Sequence, residues 1–556
     1  MAQAQVGPSI VVGVDFGTTF SGIAWAFEGS IGDVEVLSTW PGGGSRNSVK
    51  APSSISYGTQ TIRWGYQVGP FAEAFRGVKL LLDKKQVTTY TPSLACKKLL
   101  AKYNKNAVDV VADYLGHLIK HMEEILQRRL GVARAAMKMR FVLTVPAVWS
   151  DKAKDYTLQA AMKAGIPPRD VSLVAEPEAA AVYSLRAMQP NSIAGDHVII
   201  VCDAGGGTVD LISYRVAKLE PLLLAEVVKG AGRICGSMLL DERFESMLEE
   251  RMGRDNYAAL SEKSKEAAMS YWQRQVKTNF CGKYDEDYAH VDYFIPIPGA
   301  QNDPSVPIED GFFQLSSEDT ASIFDPIVRD VESLVAEQVK GIKKKNLSPK
   351  AIILVGGFGA SEYLFHRLKE ANPTVTVMQP PDAGAVQRGL DGNRVESRIA
   401  RRNYGIQYAQ TLEKTVSEDS PDNMIWDRLE ENYKSYGHMK WFITKFSALS
   451  ESHPIKLPFH YAIEKGNVEG LINKIDLLFC DNDSAPEMNN AKIIRLCTVE
   501  ADLTKVPRKL FESKCNSKGV EYFKINFTLV LIPTSASLVF QLEFNGASYG
   551  SVRSKY

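Results

Sequence analysis

Three glycine-rich segments of this 556-residue chain carry residue types that bind phosphate groups. Asp15 precedes Phe-Gly-Thr-Thr, Asp203 precedes Ala-Gly-Gly-Gly-Thr, and Gly-Gly-Phe-Gly-Ala-Ser spans 356–361. Backbone N–H groups in such turns donate hydrogen bonds to phosphate oxygens. Carboxylates repel phosphate unless a divalent cation lies between them, and Mg²⁺ takes one or two carboxylates while keeping several waters. The pattern indicates a phosphate and Mg²⁺ site. For each turn taken alone, a structural kink is the alternative interpretation.

The first two segments lie between apolar runs that alternate like strands. Residues 9–27 and 201–214 share the order apolar strand, Asp, glycine turn, threonine, apolar strand. Each predicts a β-hairpin. A recurrence at this large separation indicates an internal duplication that gives two related lobes.

Helical and strand patterns alternate around these hairpins. Helices are predicted over 107–130, over 151–164, over 316–345 and from about Ser361, with short buried strands at 141–146 and 351–355. The helix over 316–345 ends in three lysines, which suit the negative pole of a helix dipole; a localisation signal is the alternative. The alternation predicts an α/β domain. From about residue 401 the pattern changes and predicts a β-rich C-terminal domain.

Composition narrows the class of protein. Lys+Arg and Asp+Glu are equal at 65 each and 45% of residues are hydrophobic, so nothing predicts a nucleic-acid or membrane partner by charge. The seven cysteines are scattered without a C-x-x-C pair, which favours reduced thiols and a cytoplasmic location. We find no secretory signal and no stretch of 18 apolar residues. A P-loop NTPase is disfavoured because G-x-x-x-x-G-K-[ST] is absent.

In their order along the chain these motifs resemble those of the actin-like ATPase superfamily, and specifically the 70-kilodalton heat shock protein family. Residues 14–21 resemble its first phosphate motif, 201–210 its second, and 353–359 its adenosine motif. Segments 144–151 and 174–181 resemble the family's Val-Pro-Ala and Glu-Pro-x-Ala-Ala-Ala segments. The resemblance covers about residues 8–400. The sequence pattern of the chain, including Lys440-Trp-Phe-Ile443, is most similar to that of a divergent branch that is frequent in fungi.

The resemblance implies an α/β fold with two actin-like (ribonuclease-H-like) lobes around a nucleotide cleft, followed by the β-rich domain. We expect lobe I at 1–195, with 384–400 returning to it, lobe II at 196–383 and the C-terminal domain at 401–556.

The resemblance also implies roles for individual residues. Mg²⁺ would be held through its waters by Asp15 and Asp203. Catalysis would rest on Lys79, which neutralises charge on the transferred phosphoryl group, on Glu176, which orders the metal shell and attacking water, and on Asp203. The expected nucleotide-binding residues are Gly17, Thr18, Thr19, Phe20, Gly205, Gly206, Gly207, Thr208, Lys277, Gly356, Gly357, Phe358 and Asp382.

Simpler interpretations stand beside three of these roles. Lys79, matched by spacing, is otherwise a surface lysine on a helix. Glu176 is otherwise a carboxylate that favours the N-terminal end of a helix before Pro177. Asp382 is otherwise part of a turn-forming Pro-Asp.

The purine side departs from the family pattern. Arg274 stands where the family has an acid, Thr278 where it has an arginine, and Ala360 where a second arginine stacks on the purine. The departures therefore concern base recognition more than phosphate recognition.

We expect an ATP-binding protein that hydrolyses ATP slowly with Mg²⁺ and acts as a chaperone-type conformational switch. One alternative is a nucleotide-gated scaffold with little or no hydrolysis, and another is a sugar or polyol kinase of the same superfamily. Unfolded or peptide clients and co-chaperones are the implied partners. The family's leucine-rich linker is absent from 389–398, however, and its acidic terminus is absent from the tail, so usual client and co-chaperone binding is not assumed. The oligomeric state is left open.

Overall fold

A computed structural model describes residues 9–29, 34–44, 47–58, 61–69, 72–84, 91–187, 193–284, 292–303, 306–380, 394–412 and 424–555. The chain forms two compact units, Met1–Arg394 and Val395–Tyr556. Asp382 and residues 384–393 of the segment predicted to return to lobe I lie outside the described residues.

The N-terminal half of the first unit contains a six-stranded mixed sheet and a small three-stranded sheet. Its strands are β1 (Ser9–Phe16), β2 (Phe20–Phe27), β3 (Glu35–Val36), β4 (Ala51–Pro52), β5 (Ser54–Tyr57), β6 (Ile62–Trp64), β7 (Phe75–Arg76), β8 (Lys138–Val145) and β9 (Val171–Ala175), and its helices are α1 (Thr91–Lys102), α2 (Ala107–Leu130), α3 (Asp151–Lys163) and α4 (Glu176–Ala187). The main sheet has the order β3-β2-β1-β8-β9, with β4 also on β2, while β5 to β7 form a small separate sheet. Strand β1 is antiparallel to β2 and parallel to β8. It is almost completely buried, as expected for a central strand.

The following half of the unit repeats this arrangement. It contains strands β10 (Val198–Ala204), β11 (Val209–Lys218), β12 (Leu223–Arg233), β13 (Tyr293–Pro296), β14 (Ile308–Glu309), β15 (Phe312–Leu315), β16 (Pro349–Val355) and β17 (Thr376–Met378), and helices α5 (Met238–Met252), α6 (Arg254–Ala259), α7 (Glu262–Tyr271), α8 (Lys277–Asn279), α9 (Ser317–Lys343) and α10 (Glu362–Ala371). Strands β17, β16, β10, β11 and β12 follow one another in the second sheet. A hairpin next to two parallel strands is thus common to both sheets.

The duplication places corresponding turns at corresponding sheet edges. Asp15 lies near the end of β1 and Asp203 near the end of β10, each just before the glycine turn of its hairpin. Because β8 and β16 run parallel to these strands, the segments that follow β8 and β16 reach the same edges. The topology therefore gathers the predicted motifs around the ends of β1 and β10.

In the described part of the second unit, the secondary structure consists of strands and short 3₁₀ turns. The strands are β18 (Val395–Ile399), β19 (Asn403–Thr411), β20 (Met424–Asp427), β21 (Asn432–Ile443), β22 (Ala448–Leu449), β23 (Ile455–Glu464), β24 (Ile472–Cys480), β25 (Ile494–Asp502), β26 (Glu512–Cys515), β27 (Glu521–Pro533), β28 (Leu538–Phe544) and β29 (Ala547–Lys555). Ten of them form one sheet, in the order β20-β21-β19-β24-β25-β29-β28-β27-β23, with β26 on β27. The prediction of a β-rich C-terminal region is confirmed.

The local predictions are also confirmed. The helix expected over 107–130 is α2, whose Asn106 side chain accepts a hydrogen bond from Asp109 N, and the helices expected over 151–164 and 316–345 are α3 and α9. Ser361 caps α10 where a helix start was predicted. None of the helices in the described ranges combines the length and apolar character that crossing a bilayer requires.

Candidate functional site

The first glycine turn joins β1 to β2 and is held from one side by Ser53. Ser53 N donates to Thr19 O at 2.8 Å, and Ser53 Oγ donates to Gly17 O at 2.7 Å. Position 17 requires glycine, since a Cβ there would lie 2.1 Å from Phe20 O. Thr18 is buried, whereas Phe20 is 47% exposed.

The second turn rests on the N-terminal end of α5. Gly205 N donates to Thr208 O and closes the turn at 2.9 Å. The carbonyl oxygens of Gly205, Gly206 and Gly207 then accept from backbone N–H groups at positions 237, 238 and 236, at 3.1, 3.0 and 3.2 Å. In a trans peptide the C=O and the next N–H point in opposite directions. The N–H groups of Gly206, Gly207 and Thr208 therefore point away from α5.

The two turns face each other. A Cβ on Gly206 would lie 2.4 Å from Thr19 Oγ1, and a Cβ on Gly207 would lie 2.5 Å from Thr18 Oγ1. Within the described part of the chain, the backbone N–H groups of Thr18, Thr19, Gly206 and Gly207 donate no hydrogen bond. Unpaired N–H groups on adjacent turns form an anion-binding concavity.

Lys79 and Glu176 form a largely buried ion pair beside the first turn. Lys79 Nζ lies 2.7 Å from Glu176 Oε1, and the lysine is only 3% exposed. Its ammonium also lies 5.6 Å from the ring centre of Phe16 and 5.4 Å from that of Trp149. Aromatic faces attract a desolvated cation. These contacts exclude the alternative of a surface lysine for Lys79. Glu176 pairs with this lysine in addition to lying at the N-terminal end of helix α4.

Asp15 is engaged at both carboxylate oxygens. Lys50 Nζ lies 3.0 Å from its Oδ2, and Thr144 Oγ1 donates to its Oδ1 at 3.0 Å. Burial disfavours the charged form, but the Lys50 ammonium with its hydrogen bond, together with Lys79 and Thr144, outweighs burial and lowers the pKa of Asp15.

Burial has the opposite net result at Glu176. Desolvation raises the pKa of this carboxyl to about 7; Lys79 opposes the rise, while the charges of Asp210 and Asp15 reinforce it. The pKa shift indicates that Asp15, Lys79, Glu176 and Asp210 act on one another electrostatically. A group that changes charge near neutral pH suits proton transfer.

Asp203 lies directly opposite Asp210 in the β10–β11 hairpin. Asp210 is buried, and its Oδ1 accepts from Val148 N at 3.1 Å, which links the second hairpin to the segment after β8. No role was predicted for Asp210. Its position opposite Asp203 in a period-two strand was the available signal.

The third glycine turn follows β16 and packs on the end of β10. Phe358 N and Gly359 N both donate to Ala204 O, at 2.8 and 3.0 Å. A Cβ on Gly356, whose φ is +86°, would lie 2.6 Å from Asp203 Oδ1, whereas a Cβ on Gly357 would meet no atom within 4 Å. Phe358 is buried in the core of the second sheet, so its ring is not presented to a ligand.

Lys277 lies apart from the central cluster in its contacts. Its ammonium pairs with Asp241 Oδ1 on α5 at 2.7 Å, and Asp241 also accepts from Trp272 Nε1 and Gln273 Nε2. The departures at Arg274, Thr278 and Ala360 are all exposed. Helix α5 therefore connects the Lys277 region to the second turn, since its N-terminal end holds that turn.

The residues present fit phosphate better than they fit a metal ion. The facing turns offer N–H groups and exclude any Cβ at Gly206 and Gly207, and open space adjoins Gly357. Asp15, by contrast, already pairs with Lys50. Among the described residues no group of three or more His, Cys, Asp or Glu side chains is placed to hold a metal ion. Mg²⁺ bound through waters needs fewer carboxylates, but at Asp15 it would have to compete with an ammonium.

Comparison with known proteins finds similarity to Hsp70 proteins. The family model described as Hsp70 protein matches residues 11–220. The chain is 25% identical to heat shock 70 kDa protein 12B of Homo sapiens over 73% of its own length and 72% of that protein. It is 24% identical to the human heat shock 70 kDa protein 12A, over 71% and 72% of the two chains. A chaperone protein HscA homolog of Vibrio campbellii is 31% identical over 38% of this chain and 33% of its own length.

Proposed function

Because this chain belongs to the Hsp70 family, we propose that its facing turns bind the phosphates of ATP and that it hydrolyses ATP slowly as a nucleotide-driven conformational switch. It is an ATP-binding, Hsp70-like protein with two actin-like lobes and a β-rich C-terminal region, and the family implies Mg²⁺ in general. Hydrolysis, switching and chaperone activity are the proposal.

One observation supports the proposal above the others. The two turns, whose N–H groups at Thr18, Thr19, Gly206 and Gly207 donate no hydrogen bond within the described chain, face each other beside the Lys79–Glu176 pair. ATP, when bound, supplies the phosphoanhydride bond that water cleaves. Lys79 would neutralise charge developing on the transferred phosphoryl group, and Glu176, once deprotonated, would orient water or accept its proton. Lys79 would share its ammonium between Glu176 and phosphate.

Single-turnover hydrolysis tests the enzyme hypothesis directly. Lys79→Met keeps most of the side-chain stem but removes the charge, and we expect the rate to fall by about 100-fold or more. Lys138→Met is the control for the same substitution elsewhere, because Lys138 is an exposed lysine at the N-terminal end of β8. Asp203→Asn tests the second acidic position. Equal rates in wild type, Lys79→Met and Asp203→Asn would contradict an active hydrolase.

That contradictory result would favour the nucleotide-gated scaffold, provided that nucleotide still binds. Calorimetric titration with ATP, ADP and GTP separates binding from turnover. Because the departures at 274, 278 and 360 lie on the predicted purine side, we expect ATP and GTP to differ less in affinity than an intact purine site would allow. Binding of none of the three nucleotides would overturn the proposed function.

A sugar or polyol kinase remains the weaker proposal, since no acceptor-binding pattern was found. It predicts ADP formation that requires a small alcohol. Client and co-chaperone binding and a cytoplasmic location are likewise proposals. Aggregation-suppression assays in the presence of nucleotide test client and co-chaperone binding. Cell fractionation tests the cytoplasmic location.

A further inference from the structure

Lys50 precedes β4 and belongs to none of the three glycine-rich motifs, and its ammonium lies 3.0 Å from Asp15 Oδ2. Thr144 Oγ1 donates to the other oxygen of the same carboxylate. Groups of the chain itself thus engage both oxygens of an aspartate that was predicted to hold Mg²⁺.

The backbone at Lys50 is anchored on both sides. Its carbonyl oxygen accepts from Ser48 Oγ at 2.8 Å and from Tyr66 Oη at 3.1 Å. Strand β4, which follows at once, pairs with β2, so that Ala51 lies opposite Ser21. Lys50 therefore leaves an anchored segment of the first sheet.

Gly22 lies beside the lysine stem as it passes towards Asp15. Gly22 is directly opposite Asp15 in the β1–β2 hairpin. A Cβ at position 22 would lie 3.3 Å from Lys50 Cγ and 3.9 Å from Lys50 Cε. The lysine stem thus lies over the glycine, and its ammonium ends on the carboxylate. Because the two side chains are 31% and 37% exposed, the pair remains accessible to an incoming ligand.

We propose that Lys50 supplies at Asp15 part of the positive charge that a divalent ion would otherwise supply, so that nucleotide binding by this chain depends only weakly on Mg²⁺. The inference rests on the proposed function. An ammonium at 3.0 Å repels a cation that approaches the same carboxylate, and it attracts a triphosphate that arrives without metal. Lys79 adds a second positive charge close to Asp15.

The test measures affinity for ATP with excess EDTA and with saturating Mg²⁺, using the full chain. For wild type we expect the two affinities to agree within about tenfold. For Lys50→Met we expect weaker binding in EDTA, so that the ratio of the two affinities grows by about tenfold or more. Lys50→Arg keeps the charge and should keep the wild-type ratio.

Lys105→Met is the matched control, because Lys105 pairs with Asp113 at 2.9 Å with side chains 30% and 34% exposed. Its ratio should equal that of wild type. Titration with Mn²⁺ alone, followed by electron paramagnetic resonance, gives a second readout: freeing Asp15 in Lys50→Met should tighten Mn²⁺ binding. Circular dichroism establishes that each variant is folded, and Lys50→Gln replaces Lys50→Met if the latter is not.

The outcomes separate the two claims. A strict Mg²⁺ requirement in wild type, or an unchanged affinity ratio in the neutral Lys50 variants, overturns the inference and leaves ATP binding intact. Absence of ATP binding in wild type under both conditions overturns the proposed function, and the inference falls with it.

Discussion

Glu176 combines two features at the scale of one residue. Its position after β9 places it at the N-terminal end of α4, where the helix dipole favours a negative charge. Burial nevertheless raises its pKa to about 7, with Asp210 and Asp15 reinforcing the rise against the opposing effect of Lys79. A carboxyl that is partly protonated at neutral pH is useful in catalysis but disfavours folding at high pH.

The first prediction is therefore a pH dependence of stability. A folded-state pKa raised from its ordinary value to about 7 gives a stabilising contribution that is fully present below the unfolded-state pKa. That contribution is lost as pH rises through about 7. Glu176→Gln lacks this titration, so the stability of wild type relative to the variant should fall between pH 5 and pH 8. Urea unfolding at several pH values measures it, and a constant difference would contradict the raised pKa.

Gly356 and Gly357 are neighbours with opposite expected responses. Gly356→Ala forces a positive φ on a residue with a Cβ and brings it against Ala204 O, so we expect a loss of about 1–3 kcal/mol in the free energy of unfolding. Gly357→Ala meets no atom within 4 Å, so its stability should change little. If adenosine approaches this turn, Gly357→Ala should weaken ATP binding by about tenfold while folding is preserved. Unchanged affinity would place the ligand elsewhere.

At the scale of elements, α5 is what orients the second turn. The backbone N–H groups of Met238, its first residue, and of Gly236 and Ser237 just before it donate to the carbonyl oxygens of Gly205 to Gly207. The turn's own N–H groups then point away from α5. Gly236 permits this contact, because a Cβ there would lie 2.3 Å from Gly206 O.

Gly236→Ala should consequently disturb the second turn rather than the strands of its hairpin. We expect weaker ATP binding by about tenfold or more, because displaced N–H groups no longer converge on a phosphate. Calorimetry of the full chain measures the change. Gly195→Ala is the control, since a Cβ at that position meets no atom within 4 Å. Similar effects of both variants would show that the contact with α5 is unimportant.

Local elements were predictable from the sequence, whereas long-range pairing was not. The two hairpins and helices α2, α3 and α9 follow from periodicities and caps contained in each segment. Lys50 and Asp241 acquire their roles only through partners in distant segments: Asp15 for the first and Lys277 for the second. Lys79 was matched by spacing, but its burial, with its ammonium near Phe16 and Trp149, depends on packing that no local pattern records.

At the scale of the whole molecule, the proposed switch requires that ATP bound in unit Met1–Arg394 alter unit Val395–Tyr556. A ligand can shift a conformational equilibrium only through different affinities for its two states. ATP that is sensed only locally would change the first unit alone. Hydrolysis rates separate the hydrolase from the scaffold but do not report on the second unit, whereas the distribution of backbone protection does.

Hydrogen exchange of the full chain with and without ATP makes that comparison. ATP at one hundred times its dissociation constant stabilises the bound state by about 2.7 kcal/mol, so exchange at Thr18, Thr19, Gly206 and Gly207 should slow by up to about 100-fold. For a switch, amides in β19, β21 or β24 should also change, and ADP should reverse that change. Lys79→Met, which should bind ATP but hydrolyse it slowly, prolongs the ATP state. Protection confined to the first unit in this variant would contradict the switch, because the ATP-bound conformation would then have been sampled without any response from the second unit.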